Sequence, residues 1–228
     1  MSGALAARLA ARIRAEGPIP LSDYMAAALT DPRDGYYTTR DPFGVEGDFT
    51  TAPEISQIFG ELVGLWALLV WQAMGAPARV VLAEMGPGRG TLMSDLLRAA
   101  ALRPAFAAAL DLHLVEVSPS LRNRQAQTLA DHPVRWVERV EDLPDGPLIL
   151  VANELFDALP VDQIERQDGV WRERRVGLDP TGAFAFVAGA PVAPPAWALA
   201  APDGAVAELA GAAHALAATI GARLAAQG

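Results

Sequence analysis

Between Val80 and Leu97 an apolar run, VVLAEM, passes through three alternately spaced glycines, Gly86, Gly88 and Gly90, into a stretch of helical period, TLMSDLL. A strand that turns on glycines into a helix opens an α/β sheet, because glycine reaches the turn's backbone angles without a Cβ penalty and leaves the first helical N–H groups facing outward. The chain then repeats the plan. DLHLVEV (111–117), VRWV (134–137) and PLILVANE (147–154) read as further strands, and 91–101 and 119–130 as helices, the second opened by Ser118 and Pro119. The near-continuous apolar run of 147–154 suits a strand buried on both faces, so it is expected at the middle of the sheet. Short apolar runs alternating with helical periods predict an α/β fold: a doubly wound, mostly parallel sheet with helices on both faces.

Beyond those strands, Asp168 and Gly169 separate two alternating runs, the pair that favours a two-residue hairpin, and a third run, AFAFV, follows Gly182. A β-hairpin insertion is expected over about 161–188, then an irregular Pro/Ala-rich piece at 189–202 and one alanine-rich helix from Val206 to Ala226. Upstream, 3–16 and 22–29 read as helices, 31–53 is punctuated by Pro, Gly and Asp, and 54–74 reads as one long apolar helix. The expected division is an N-terminal helical or lid region, 1–75, packed on a sheet-bearing core, 76–228.

Composition removes several classes of function. With a formal charge of −9 the chain has no overall field to attract phosphate backbones or anionic lipid, so neither nucleic acid nor a membrane is an expected partner. Its most apolar helical run, 62–71, is shorter than the roughly 20 residues a span requires. The absence of cysteine removes a disulfide framework, a thiolate zinc site and a cysteine nucleophile, and fits a reducing compartment. All 18 basic residues are arginine, which removes Schiff-base chemistry and the P-loop lysine. The three histidines lack metal-ligand spacing, and no metal is assigned. The N-terminal ALAARLAARIRAEG has no apolar segment or cleavage pattern of a secretory signal and reads as an amphipathic helix.

What the glycine loop holds depends on its neighbours. A dinucleotide fingerprint requires G-x-G-x-x-G/A, and Thr91 stands where its last small residue belongs. Glu84, two residues before Gly86, repels a pyrophosphate and favours an ammonium or a sulfonium. Glu116 closes the second strand at the same edge of the sheet, where an acidic side chain accepts hydrogen bonds from two ribose hydroxyls. S-adenosylmethionine, an adenosine with a cationic tail, answers both. A plain strand-to-helix turn, and a nicotinamide-dependent oxidoreductase sharing Gly86-x-Gly88 and the acidic strand end, are the alternatives these residues leave open.

Four ordered blocks carry a resemblance: GDFTTAPEISQIFGE (47–61), EMGPGRGTLMSDLLR (84–98), LVEVSPSLRNRQ (114–125) and NELFDALPVDQ (153–163). They resemble the MidA-like S-adenosylmethionine-dependent methyltransferases, a family that includes a mitochondrial protein-arginine methyltransferase assisting assembly of respiratory complex I. The resemblance covers most of the chain. It implies a class I methyltransferase, Rossmann-like sheet binding S-adenosylmethionine, with Glu84, Gly86, Gly88 and Gly90 at the methionine end, Glu116 at the ribose, and Asp48 beside the cofactor. It implies Asn153, Glu154 and Asp157 as catalytic groups that orient the methyl acceptor, with Phe49, Thr51 and Glu54 toward the substrate. The implied acceptor is a protein arginine, in relatives on a complex I subunit, and the implied compartment is the bacterial cytoplasm, or the mitochondrial matrix in a eukaryote. Carboxylates suit that acceptor, because a guanidinium is planar, always charged and must be oriented before one nitrogen attacks.

Simpler roles compete at two places. Asn153 with the acids behind it also fits a helix start, and Thr51 also fits an N-cap of the Glu54 helix. The resemblance further implies closing strands that this sequence does not contain, so the expected sheet keeps an open edge. A non-catalytic assembly or binding partner is the alternative which that incompleteness raises.

Overall fold

The computed structural model describes residues 1–39 and 51–226. The chain begins with α1 (Gly3–Glu16), β1 (Ile19–Pro20), α2 (Leu21–Thr30) and α3 (Tyr36–Thr39), and after residue 50 continues with α4 (Ala52–Ile55) and α5 (Gln57–Ala73). Then come β2 (Val80–Met85), α6 (Thr91–Ala100), α7 (Pro104–Ala109), β3 (Leu110–Val115), α8 (Pro119–Thr128), β4 (Arg135–Val137) and β5 (Leu148–Ala152). The remainder is β6 (Asp162–Gln167), β7 (Val170–Leu178), β8 (Phe184–Pro191), β9 (Val206–Leu209) and α9 (Gly211–Ala225). These elements form two compact units. One joins Met1–Thr39 to Ala158–Leu216, and the other runs from α4 to Asp157 and takes up the chain again from Ala217.

The second unit holds the expected parallel sheet, in the order β4-β3-β2-β5. Counted by sequence among themselves, its strands run 3-2-1-4, the order in which a ligand crevice opens at the carboxyl ends on either side of the first strand. β2 is central and buried along its whole length. β5, expected at the middle, instead lies at an edge: it pairs only with β2 among the described residues, and its last residue, Ala152, is exposed. An apolar run reports that faces are covered, here by Leu148 and Ile149, and is silent on whether both edges are paired. The core joins Val80, Leu82, Leu112, Leu114 and Ile149 of the strands to Met93, Leu96 and Leu97 of α6 and to Ala67, Leu68 and Trp71 of α5.

The helix expected over 54–74 is interrupted at Ser56, whose extended backbone (φ −148°, ψ 119°) separates α4 from α5. α5 and α6 approach so closely that only glycine fits between them. A Cβ on Gly64 would lie 2.6 Å from the Leu96 carbonyl oxygen and 2.9 Å from Ala99 Cβ. Alanine in place of glycine inside a helix ordinarily stabilises by about 1 kcal/mol, but overpacking costs about 1–3 kcal/mol, so Gly64→Ala is expected to destabilise. Gly221→Ala in α9, where a Cβ meets nothing within 4 Å, should have the opposite sign. Thermal unfolding of the two variants checks this: the first lowers Tm and the second raises or preserves it.

The first unit is an antiparallel sheet of order β1-β7-β6-β9, with β8 on the other edge of β7. The β6–β7 hairpin turns on Asp168 (φ 51°) and Gly169 (φ 76°), both left-handed as a type I′ turn requires. Leu5, Leu9 and Ile13, one stripe of α1, pack with Ile19, Leu21 and Val176. The single helix expected from Val206 to Ala226 is in fact a strand followed by a helix. In β9, Ala207 is buried against Ile164, Trp171 and Ala198 while its neighbours are exposed, so pairing with β6 overrides alanine's high helical propensity. Among the described residues no helix is long and apolar enough to cross a membrane.

Candidate functional site

The site is built where β2, β3 and β5 release the chain. Gly86 (φ 63°), Gly88 (φ 53°) and Gly90 (φ 83°) are all left-handed, so each glycine of the loop is required by its backbone. The Gly86 N–H still donates to the Val115 carbonyl at 3.2 Å, and the Gly90 N–H donates to the Pro87 carbonyl at 2.8 Å, closing the turn from which α6 starts. A Cβ on Gly86 would lie 3.0 Å from Leu155 Cδ1, so the loop and the chain leaving β5 meet there.

Glu84 sits inside this turn at 2% exposure, its side chain accepting from the Met93 N–H while Oε2 has no hydrogen-bond partner among the described residues. Burial pushes its carboxyl up to about 8, and the Met93 N–H offsets part of that rise. Glu116 follows β3 by one residue and is also buried. Its Oε1 accepts from the Ser118 N–H at 2.8 Å and its Oε2 from Gln125 Nε2 at 3.1 Å. Burial raises this carboxyl too, against the opposing effect of those two donors. The Val117 N–H adds a third donor, so Glu116 is held rigid with acceptor capacity left among its four lone-pair positions.

The β5 exit supplies the third side. Ala152 is in register with Met85, so Asn153 and Glu154 leave the sheet beside the glycine loop. Glu154 is exposed and left-handed (φ 47°), a conformation that costs a non-glycine residue of order 1–3 kcal/mol and concentrates at functional sites. Asp157, exposed, lies in a single 3₁₀ turn, Phe156–Ala158; the alternative of a helix start at Asn153 is not realised.

Thr51 precedes α4 and caps it with its backbone carbonyl, which accepts from Glu54 and Ile55, rather than with its hydroxyl. Glu54 turns to the loop: Oε1 accepts from the Thr91 hydroxyl at 2.7 Å and Oε2 lies 3.7 Å from Arg89. These two partners flank Gly90, so Glu54 fastens α4 to the start of α6. Asp48 and Phe49 lie outside the described residues.

One residue of the site was not among the sequence candidates. Gln125 is fully buried, donates through Nε2 to the Gly88 carbonyl at 2.8 Å as well as to Glu116, and accepts from Trp136 Nε1 at 2.8 Å. The signal for it is a polar residue on an apolar stripe, Leu121, Gln125 and Leu129 at intervals of four along α8 and its end. Two buried carboxyl groups, Glu84 and Glu116, thus gather with three left-handed glycines at one edge of the parallel sheet.

The family model of S-adenosyl-L-methionine-dependent methyltransferases matches residues 62–228. Over 193 residues the chain is 44% identical to the mitochondrial protein arginine methyltransferase NDUFAF7 homolog of Drosophila melanogaster, covering 75% of this chain and 44% of that one. It is 39% identical to the mitochondrial protein arginine methyltransferase NDUFAF7 of Homo sapiens, covering 74% and 44%. The chain thus spans less than half the length of these curated relatives. A Burkholderia thailandensis protein whose crystal structure holds S-adenosyl-homocysteine is similar with a TM-score of 0.82 and 36% identity, over 96% of this chain and 59% of that one.

Proposed function

The chain belongs to the family of S-adenosyl-L-methionine-dependent methyltransferases, and from that premise we propose that it binds S-adenosylmethionine on the glycine loop and methylates a protein arginine. One observation carries this reading: a buried carboxylate, Glu84, keeps an oxygen without a partner among the described residues beside three left-handed glycines. An ammonium or sulfonium next to it supplies the missing charge, the glycines admit the ligand close to backbone, and Glu116 accepts from ribose hydroxyls. The cofactor supplies a methyl group already activated on sulfur. The chain's own part is positioning. Asn153, Glu154 and Asp157 dock and turn the guanidinium, and one of the two carboxylates takes the proton that the methylated nitrogen releases. Glu54 holds α4 against the loop, with Thr51 and Phe49 toward the substrate and Asp48 toward the cofactor.

The names of the curated relatives support a protein arginine as acceptor. The resemblance in sequence extends this to a complex I subunit, with the chain working in the cytoplasm of a bacterium or in the mitochondrial matrix. Calorimetric titration with S-adenosylhomocysteine tests the reading. Micromolar-range binding is expected, weakened about 10- to 100-fold in Glu116→Ala, since hydrogen bonds to a charged group are worth about 1.5–3 kcal/mol. A folded chain that gives no heat overturns it. The outer edge of β5, unpaired among the described residues, favours a second reading in which the chain is a non-catalytic assembly or binding partner that transfers no methyl. Labelled methyl transfer to an arginine peptide separates the two.

A further inference from the structure

We infer that Gln125 is a positioning residue that locks the ribose acid Glu116 and the glycine loop into one rigid unit, an inference that rests on the cofactor reading above. Both N–H groups of its amide find acceptors and its oxygen finds a donor in the one orientation its neighbours allow. The two N–H bonds of Nε2 face two acceptors, the Gly88 carbonyl at 2.8 Å and Glu116 Oε2 at 3.1 Å, while Oε1 faces a donor, Trp136 Nε1, at 2.8 Å. Turning the amide over would set oxygen against two oxygens and N–H against N–H, so the orientation is dictated. The residue is 0% exposed, and its Cα and Cγ lie 3.6 Å from where a Cβ on Gly90 would stand, so α8 also backs the loop sterically.

A fully satisfied buried network of this kind fixes geometry more than it adds stability. It adds a side-chain tie among three pieces of chain whose backbones the sheet already pairs: the turn after β2, the end of β3, and β4 through its Trp136 side chain. Glu116 can reach both ribose hydroxyls in one geometry only if its carboxylate cannot rotate, and Gln125 with the Ser118 N–H supplies that restraint from both oxygens. The Gly88 carbonyl, held by Gln125, is turned toward α8.

The test compares affinity for S-adenosylhomocysteine and for its 2′,3′-dideoxy analogue in the 228-residue chain, in Gln125→Met and in Gln125→Glu. The wild type is expected to prefer the natural ribose by at least about tenfold, since each hydrogen bond to a charged acceptor contributes about 1.5 kcal/mol or more. Gln125→Met removes all three hydrogen bonds at nearly constant volume and should reduce that preference to within about threefold. Gln125→Glu keeps the acceptor for Trp136 but, when ionised, cannot donate to Gly88 or Glu116, and should lose the preference too. Equal weakening for both ligands, or an undiminished preference, overturns the positioning role while leaving the cofactor reading intact. If neither variant folds, Gln125 is a structural residue only and the inference falls. A wild type that binds neither ligand would instead sink the cofactor reading itself.

Discussion

Gly86→Val is expected to weaken S-adenosylhomocysteine binding by about 100-fold or more, the largest effect of any single change in the loop. Two costs add. At φ 63° a residue with a Cβ loses about 1–2 kcal/mol, and a β-branched one is a true outlier there. The added Cβ would also stand 3.0 Å from Leu155 Cδ1. Leu155 Cδ1, the far end of the side chain next to Glu154, has to give way by a few tenths of an ångström, on the side of the crevice that the β5 exit forms. Gly204→Ala separates strain from site: it has the same sign of φ (83°) with nothing within 4 Å of its Cβ, so it should cost similar backbone strain and leave binding unchanged. Gly90→Ala lies between them, with contacts at an ordinary 3.6 Å. A folded Gly86→Val that binds within about threefold of wild type would remove the loop from the site.

Where the sequence was legible, the residues themselves punctuate the chain. Ser118 caps α8 as expected, its hydroxyl accepting from the Leu121 N–H, and Asp168–Gly169 makes the hairpin its backbone angles demand. The places of Glu84 and Glu116 at the edge of the parallel sheet were legible because strand ends and a glycine turn fix them. What escaped depends on partners distant in sequence. β1 exists because Ile19 and Pro20 pair with Val176 and Arg175, and no local pattern reports such a neighbour. β9 escaped for the same reason, since pairing with β6, with Ala207 opposite Ile164, is what makes Ala207 a strand residue. The left-handed backbone of Glu154 escaped because nothing about a glutamate announces it. Gln125 was visible as an oddity on an apolar stripe, but its meaning required knowing that α8 packs behind the glycine loop.

Glu84→Gln should separate a site carboxylate from a merely buried one, through two pH dependences of opposite sense. With its carboxyl raised from 4.5 to about 8, native Glu84 holds a proton over a range where the unfolded chain has released it. Its contribution to stability is therefore fully present below about pH 4.5, falls by up to about 1.4 kcal/mol per pH unit above that, and is gone once pH has passed through about 8. Binding a cationic ligand demands the ionised form. Affinity should therefore rise by up to about tenfold per unit between about pH 6 and 8, with a proton released on binding that calorimetry in two buffers of different ionisation enthalpy counts. The amide of the Glu84→Gln variant has no proton to release. That variant should bind on the order of 100-fold more weakly at pH 8, because an ammonium left without its buried counter-charge forfeits about 3 kcal/mol or more. Any titration of the ligand itself is common to both proteins, so the difference between their pH profiles belongs to Glu84. Parallel profiles would mean that this carboxylate meets no cation. An acid that only supported the fold would lose stability with rising pH and return nothing in binding, whereas one that waits for a positive ligand loses stability and gains affinity over the same interval.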